Sequence, residues 1–186
     1  MNKKYFNFDA QKGEITEYNI EWWLKVDIPS EINWISVTSI WNWAFAENDL
    51  KKISIPNSIT YIWDWAFINN KLEKVEIPNS ITSIWNWAFR NNNLKKVNIP
   101  DSVTDIGDDA FSDNNLKKIS IPSSVTAIWD GAFAWNKLEK VEIPNSITYI
   151  GDWAFRNNKL EKVEIPNSVT YIWDAAFDDD VKIIRN

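Results

Sequence analysis

No cysteine and no histidine occur in this chain, and glycine is scarce at four residues. Without cysteine there is no disulfide, no thiolate ligand and no cysteine nucleophile. Without histidine, the commonest general base and transition-metal ligand are missing too. Positive charge is also in deficit: 20 Lys and Arg stand against 26 Asp and Glu, a net charge of −6. Nucleic acid and anionic membrane partners, which need a basic stripe to displace counterions, are therefore excluded. No apolar run is long enough to span a bilayer. Met1-Asn-Lys-Lys leads into Tyr5-Phe-Asn-Phe8 instead of a continuous apolar leader, so neither a signal peptide nor membrane insertion is read here.

What is abundant is tryptophan, with 13 copies, and a repeat that fixes where they fall. Aligned on Leu50, Leu72, Leu94, Leu116, Leu138 and Leu160, each copy reads L-x-x-I-x-I-P-x-S-I-T-x-I-(W/G)-(N/D)-x-A-F-x-x-N-x with a constant period of 22 residues. A fixed period of this size is the signature of a solenoid. With the leucine as slot 1, slots 4 and 6 (Ile53 and Ile55, Val75 and Ile77) alternate with polar residues and predict a short strand with one buried face. Pro at slot 7, which cannot donate to a ladder, ends that strand, and Asn or Asp beside it supports the turn. A second extended piece is predicted at slots 10 to 13, as in Ile81-Thr-Ser-Ile84, with Thr at slot 11 forming a stacked row.

Asn or Asp at slot 15 stands three residues before the Phe of Ala-Phe, the position of a strong N-cap. Slots 15 to 19 are accordingly expected to form a short helical or 3-10 turn whose Phe fills the centre of the coil. Asn at slot 21 is expected to take the left-handed bend before the next leucine. The fold class expected is an α/β-type repeat: a leucine-rich-repeat solenoid of 22-residue coils, short parallel strands on one face and short helical or 3-10 turns on the other. No single copy buries enough apolar surface to fold alone, so the ends need caps. Residues 1–22 are read as an N-terminal capping hairpin, 23–177 as the solenoid and 178–186 as a terminal strand.

The combination of Ile-Pro, Ser-Val/Ile-Thr and Ile-Gly-Asp-x-Ala-Phe, complete in Ile106-Gly-Asp-Asp-Ala-Phe111, resembles the BspA-type leucine-rich repeats of bacterial surface proteins over residues 20–184. The resemblance implies a right-handed solenoid with a parallel sheet on one side, acting in adhesion or ligand binding at the cell surface. A cysteine usual near slot 21 in that family is Asn here.

The departure from the family pattern is the tryptophan. Slot 14 holds Trp41, Trp63, Trp85, Gly107, Trp129, Gly151 and Trp173, and slot 16 holds Trp43, Trp65, Trp87, Asp109, Gly131, Trp153 and Ala175. Trp34 and Trp135 also fall where a turn favours glycine. Two explanations are open. Stacked side chains, above all Trp41, Trp43, Trp63, Trp65, Trp85 and Trp87, form an aromatic ladder suited to sugar rings or to a protein interface. Alternatively, UGA codons meant as glycine have been read as tryptophan, since glycine alone tolerates φ > 0 without cost.

A second candidate surface is the sheet face, where slot 3 and slot 5 place Lys52, Lys74, Glu76, Lys96, Lys118, Lys140, Glu142, Lys162 and Glu164 in rows. Its plain reading is a solvated face balanced by Glu73, Glu139 and Glu161. Its functional reading is a binding surface for a mixed-charge partner. The slot 15 carboxylates Asp64, Asp108, Asp130, Asp152 and Asp174 suit capping better than calcium, which wants six to eight oxygens. A chain this uniform offers no unique asymmetric pocket, so no catalytic residue, metal site or cofactor is assigned and the chain is read as non-enzymatic. The function expected is a binding or adhesion domain recognising a protein or other extended partner. A carbohydrate-binding module and a structural spacer are the alternatives.

Overall fold

In the computed structural model, which describes residues 5–19 and 24–185, the 22-residue period becomes a parallel-strand β-solenoid with each coil stacked on the last. One wall is built from the slot 3 to 5 strands. Lys25–Asp27, Lys52–Ser54, Lys74–Glu76 and Lys96–Asn98 pair side by side, followed by Lys118–Ser120 with Lys140–Glu142, and Lys162–Ile165 with Lys182–Arg185. All pairings on this wall are parallel and place identical slots opposite one another, as in Lys96↔Lys74 and Val97↔Val75. A second wall carries the two-residue strands of slots 12 and 13, Ser39–Ile40 through Asp105–Ile106 and Ala127–Ile128 through Tyr171–Ile172.

The core is the sequence pattern stacked on itself. The leucines of slot 1, the branched residues of slots 4, 6, 10 and 13, and Ala-Phe at slots 17 and 18 are buried along the solenoid. The phenylalanines form a continuous central pile from Phe45 to Phe177, with successive ring centroids 5.2 to 5.8 Å apart. Period-2 alternation explains the first wall: Val75 is buried, while Lys74 and Glu76 on either side point to solvent. The slot 11 row is held differently from a Thr-to-Thr side-chain ladder. The hydroxyls of Thr60, Thr104, Thr148 and Thr170 donate to the backbone carbonyl of the Thr one coil earlier, as Thr60 does to Thr38 at 3.2 Å and Thr170 to Thr148 at 3.1 Å.

The expected helical or 3-10 turns do not occur: among the described residues, no coil from 24 to 185 contains one. The reason is visible in the hydrogen bonds of one arc. Ala66 and Ile68 donate back three residues, to Trp63 and Trp65, while Trp65 and Phe67 donate along the solenoid axis to Asn86 and Ala88 of the next coil. A 3-10 helix needs consecutive bonds to residue i−3. Here alternate N–H groups leave the arc for the neighbouring coil, and slot 16 has positive φ (58° at Trp65), which a right-handed helix forbids. The α/β description is thereby corrected to an all-β coil closed by hydrogen-bonded turns.

The N-cap role of slot 15 changes with it. Its oxygen serves the next coil instead of its own turn: Asp64 accepts from the N–H of Asn86 at 2.9 Å, Asn86 from Asp108 at 2.8 Å, and Asp130 from Asp152 at 2.8 Å. The left-handed residue lies at slot 20, one earlier than anticipated (Glu47, Asn69, Asn91, Asp113, Trp135, Asn157). The Asn at slot 21 is then free to turn inward. Asn92 is 4% exposed and accepts from Leu72 N–H at 3.1 Å while donating to the carbonyls of Phe67, Phe89 and Arg90.

At the start, Phe6–Asp9 and Glu14–Tyr18 form an antiparallel hairpin whose second strand lies parallel to Ser39–Ile40 and so covers the open end of the second wall. The boundary drawn between 22 and 23 falls outside the described residues, as do 1–4 and 186. At the other end Lys182–Arg185 closes the first wall against Lys162–Ile165. The longer first copy folds out as a small hairpin of Glu31–Ile32 and Ile35–Ser36.

Candidate functional site

Because register is kept across every paired coil, the first wall converts one-dimensional periodicity into columns. The slot 3 lysines Lys52, Lys74, Lys96, Lys118, Lys140 and Lys162 all project outward, and pairing adds Lys25 and Lys182 at the ends of the same column. Those two members lie outside the regular copies, so only the strand pairing reveals them. The slot 5 acids of the candidate set stand two residues further along their strands, on the same face as their lysines. Lys74 meets Glu76 at 2.6 Å, Lys140 meets Glu142 at 2.8 Å and Lys162 meets Glu164 at 2.7 Å. Hydrogen bonding to Lys74 holds the Glu76 carboxyl below its usual range, and Lys140 does the same for Glu142, whose charge in turn raises the ammonium of Lys140. All of these groups are exposed, so the pairs add little to stability.

Two shallow grooves run over this wall. One, of about 800 Å³, lies over the last coils among Glu139, Lys140, Glu142, Glu161, Lys162 and Glu164. The other, of about 860 Å³, lies over the middle coils among Lys95, Lys96, Asn98, Lys117, Lys118 and Ser120. The slot 2 residues that line them, Lys95 and Lys117 in one and Glu139 and Glu161 in the other, are absent from the candidate set, although their period is legible in the sequence.

Apart from Trp34, at the tip of the Glu31–Ser36 hairpin, the described tryptophans lie on the turns that follow the second wall, outside the core. Trp43, Trp65 and Trp87 stack face to face with centroids 5.1 and 5.0 Å apart, the second pair only 3° from parallel. In the slot 14 row, Trp63 stacks on Trp85 at 5.4 Å while Trp41 meets Trp63 edge-on. Both ladders stop where Gly107 and Asp109 replace tryptophan, leaving a recess of about 280 Å³ bordered by Trp85, Gly107 and Trp129. Near it, burial and the neighbouring charge of Asp130 raise the Asp108 carboxyl above its ordinary value. Among the described residues no group of three or more acidic side chains is arranged to hold a metal ion.

Comparison with known proteins bears on this geometry. The BspA type leucine rich repeat region matches in six copies, over residues 25–136 and 64–184. No curated protein matches the chain. Among solved structures, a leucine-rich repeat protein from Bacteroides ovatus superimposes with a TM-score of 0.61 at 23% identity, over 100% of this chain and 66% of that one. The Treponema leucine-rich repeat protein described as T. pallidum TpLRR gives 0.64 at 21% identity, over 86% of this chain and 90% of its own. YopM of Yersinia enterocolitica gives 0.58 at 15% identity, with 31% of its chain covered. Identities this low establish the fold alone, and the chain spans just under two thirds of the Bacteroides protein, 66%.

Proposed function

Since this chain belongs to the BspA-type leucine-rich repeat family, we propose that it is a non-catalytic binding domain, acting at the cell surface or in secreted form, that takes a protein segment along the slot 3 to 5 wall. One observation carries the reading: this wall presents one outward lysine per coil from Lys25 to Lys182, across two gaps in the strand ladder, a long shallow surface matched to an extended partner. The central residues of its strands are buried and its outward residues are charged or polar, so recognition here is polar and electrostatic, favouring fast association and specificity.

The glycan reading of the tryptophan rows is weakened by their stacking. A sugar ring packs on an aromatic face, and in the Trp43, Trp65 and Trp87 pile the inner faces are covered by each other. The test is capture of surface and secreted proteins of the source culture, with cross-link mapping, by the parent chain and by two variants. Lys52→Glu/Lys140→Glu alters the wall, and Tyr61→Glu/Tyr149→Glu alters the second wall. Loss of the cross-linked partner only in the first variant supports the wall. Loss only in the second, or glycan-array binding abolished by Trp63→Ala, refutes it.

A further inference from the structure

The columns of the binding wall are uniform in lysine and uneven in acid. At slots 2, 3 and 5 the coil from Leu72 reads Glu73, Lys74, Glu76, and those from Leu138 and Leu160 repeat the same Glu, Lys, Glu pattern. The two coils between them read Lys95, Lys96, Asn98 and Lys117, Lys118, Ser120, four cations with no acid in those slots. These six residues line one groove, with Glu142, which is paired with Lys140, as the acid at its edge. Lys95 is partly compensated by Glu73 of the preceding coil, 2.9 Å away. Among the described residues, Lys96, Lys117 and Lys118 have no carboxylate within ion-pair distance. The ladder of paired strands is interrupted between Lys96–Asn98 and Lys118–Ser120, as it is between Lys140–Glu142 and Lys162–Ile165.

We infer that this central groove is where the wall recognises its partner, and that it takes an extended acidic peptide segment of a protein. Resting on the wall reading above, the inference names the partner's chemistry. Asn98 and Ser120, like Ser54 in the coil from Leu50, stand where Glu76, Glu142 and Glu164 neutralise the column; only here do two such coils adjoin, leaving a local positive field on a chain whose net charge is −6. Carboxylates spaced along an extended segment meet lysines on adjacent coils, while the Glu-Lys-Glu coils on either side repel acid that overruns the groove. That repulsion fixes position as much as the lysines supply attraction.

The experiment uses the full chain and fluorescent oligopeptides of glutamate and of lysine, read by anisotropy at low and at physiological salt. The glutamate peptide is expected to bind, to weaken as salt rises, and to lose roughly tenfold or more in affinity with Lys96→Glu/Lys118→Glu. Lys137→Gln, at an exposed slot 22 position off the wall, is expected to leave binding within about twofold of the parent. Equal binding of both peptides, no binding of the glutamate peptide, or equal loss in the two variants overturns the inference. If the captured native partner cross-links to the wall through a segment without acidic residues, the charge assignment fails and the wall reading stands. Cross-links to another face remove both.

A different observation carries a second inference. The described tryptophans occupy only slots 14, 16 and 20 and the tip of the first hairpin, and none is in the buried core. Six of them, Trp34, Trp43, Trp65, Trp87, Trp135 and Trp153, have φ between 49° and 67°. Bulky residues are rare outliers in that region. Gly131 takes the slot 16 conformation at φ 61°. At slot 14, a Cβ on Gly107 would stand 2.3 Å from the Asn86 Oδ1, and one on Gly151 would stand 2.4 Å from the Asp130 Oδ1. Asn33-Trp34 has positive φ at both residues of a two-residue hairpin turn, the geometry for which Asn-Gly is the preferred pair.

We infer that the native protein carries glycine at these tryptophan positions, the shared codon being UGA, read as tryptophan in some genetic codes and as glycine in others. The turn edge of the native solenoid is then bare backbone, and the binding surface is the lysine wall alone. Peptide mass spectrometry of the protein from its source cells decides the matter. Glycine mass at Trp34, Trp43 and Trp65 is expected, whereas tryptophan mass there, or UGG codons in the gene, overturns the inference.

Discussion

Replacing Asn92 by alanine tests how the coils are joined. The Asn92 amide makes four hydrogen bonds, one accepted from Leu72 N–H and three donated to carbonyls. Those losses are unequal. The Phe67 carbonyl also accepts from Asn70, the Phe89 carbonyl from Asn114, and the Arg90 carbonyl from Asn69 N–H, so each keeps a partner. Leu72 is fully buried, and its N–H is left with none. An orphaned buried donor costs about 1–3 kcal/mol, and the three weakened carbonyls with the small void bring the total to roughly 2–4 kcal/mol. Since Leu72 N–H and the Phe67 carbonyl lie about one turn of the solenoid before Asn92, 20 and 25 residues back, the cost falls on an interface between turns. In a solenoid, whose stability sums over neighbour interfaces, the urea transition should broaden or split as well as move. Circular dichroism against urea measures both effects, with Asn93→Ala, at an exposed neighbouring position, as the control expected within about 0.5 kcal/mol of the parent. A change below about 0.5 kcal/mol for Asn92→Ala would refute the reasoning, because the buried N–H would then have found another acceptor.

Other outcomes follow from single residues. Phe111→Ala removes a fully buried ring stacked between Phe89 and Phe133, and should cost about 3–5 kcal/mol in denaturant unfolding. Asp108 has a folded pKa raised by burial and then by Asp130, so the native state binds its proton more readily than the unfolded chain. Stability from this group is therefore full below the unfolded pKa and is lost as pH rises through the folded one. Asp108→Asn should consequently show a higher Tm than the parent at neutral pH, with the gap closing in acid below the ordinary carboxylate range; a gap independent of pH contradicts the assignment. Trp34 is 93% exposed at φ 67°, so Trp34→Gly should exceed Trp34→Ala in stability by about 1 kcal/mol, since only glycine escapes the left-handed penalty.

The sequence by itself determined the period, a strand ahead of the proline, which the structure sets one slot earlier at slots 3 to 5, and the membership of the core, because each depends on side-chain pattern within one copy. Ile53, Leu72 and Phe89 are buried where alternation and spacing put them. It also set the lysine column, since any 22-residue stacking in register aligns Lys74 with Lys96. Tertiary structure decided where the backbone and the polar side chains of the turns point. Asn and Asp at slot 15 look like helix caps within one copy. Once a second coil is stacked alongside, alternate N–H groups of the arc bond along the axis, and Asp64 is left to serve Asn86 one coil further on. The inward turn of Asn92 likewise depends on carbonyls from two coils. The uneven charge of the wall was written in slots 2 and 5, but only stacking brings Lys96, Lys117 and Lys118 into one groove, where the one lining acid, Glu142, pairs with Lys140 instead. Contacts within a copy are local and legible, whereas bonds between coils exist only after the coils have met.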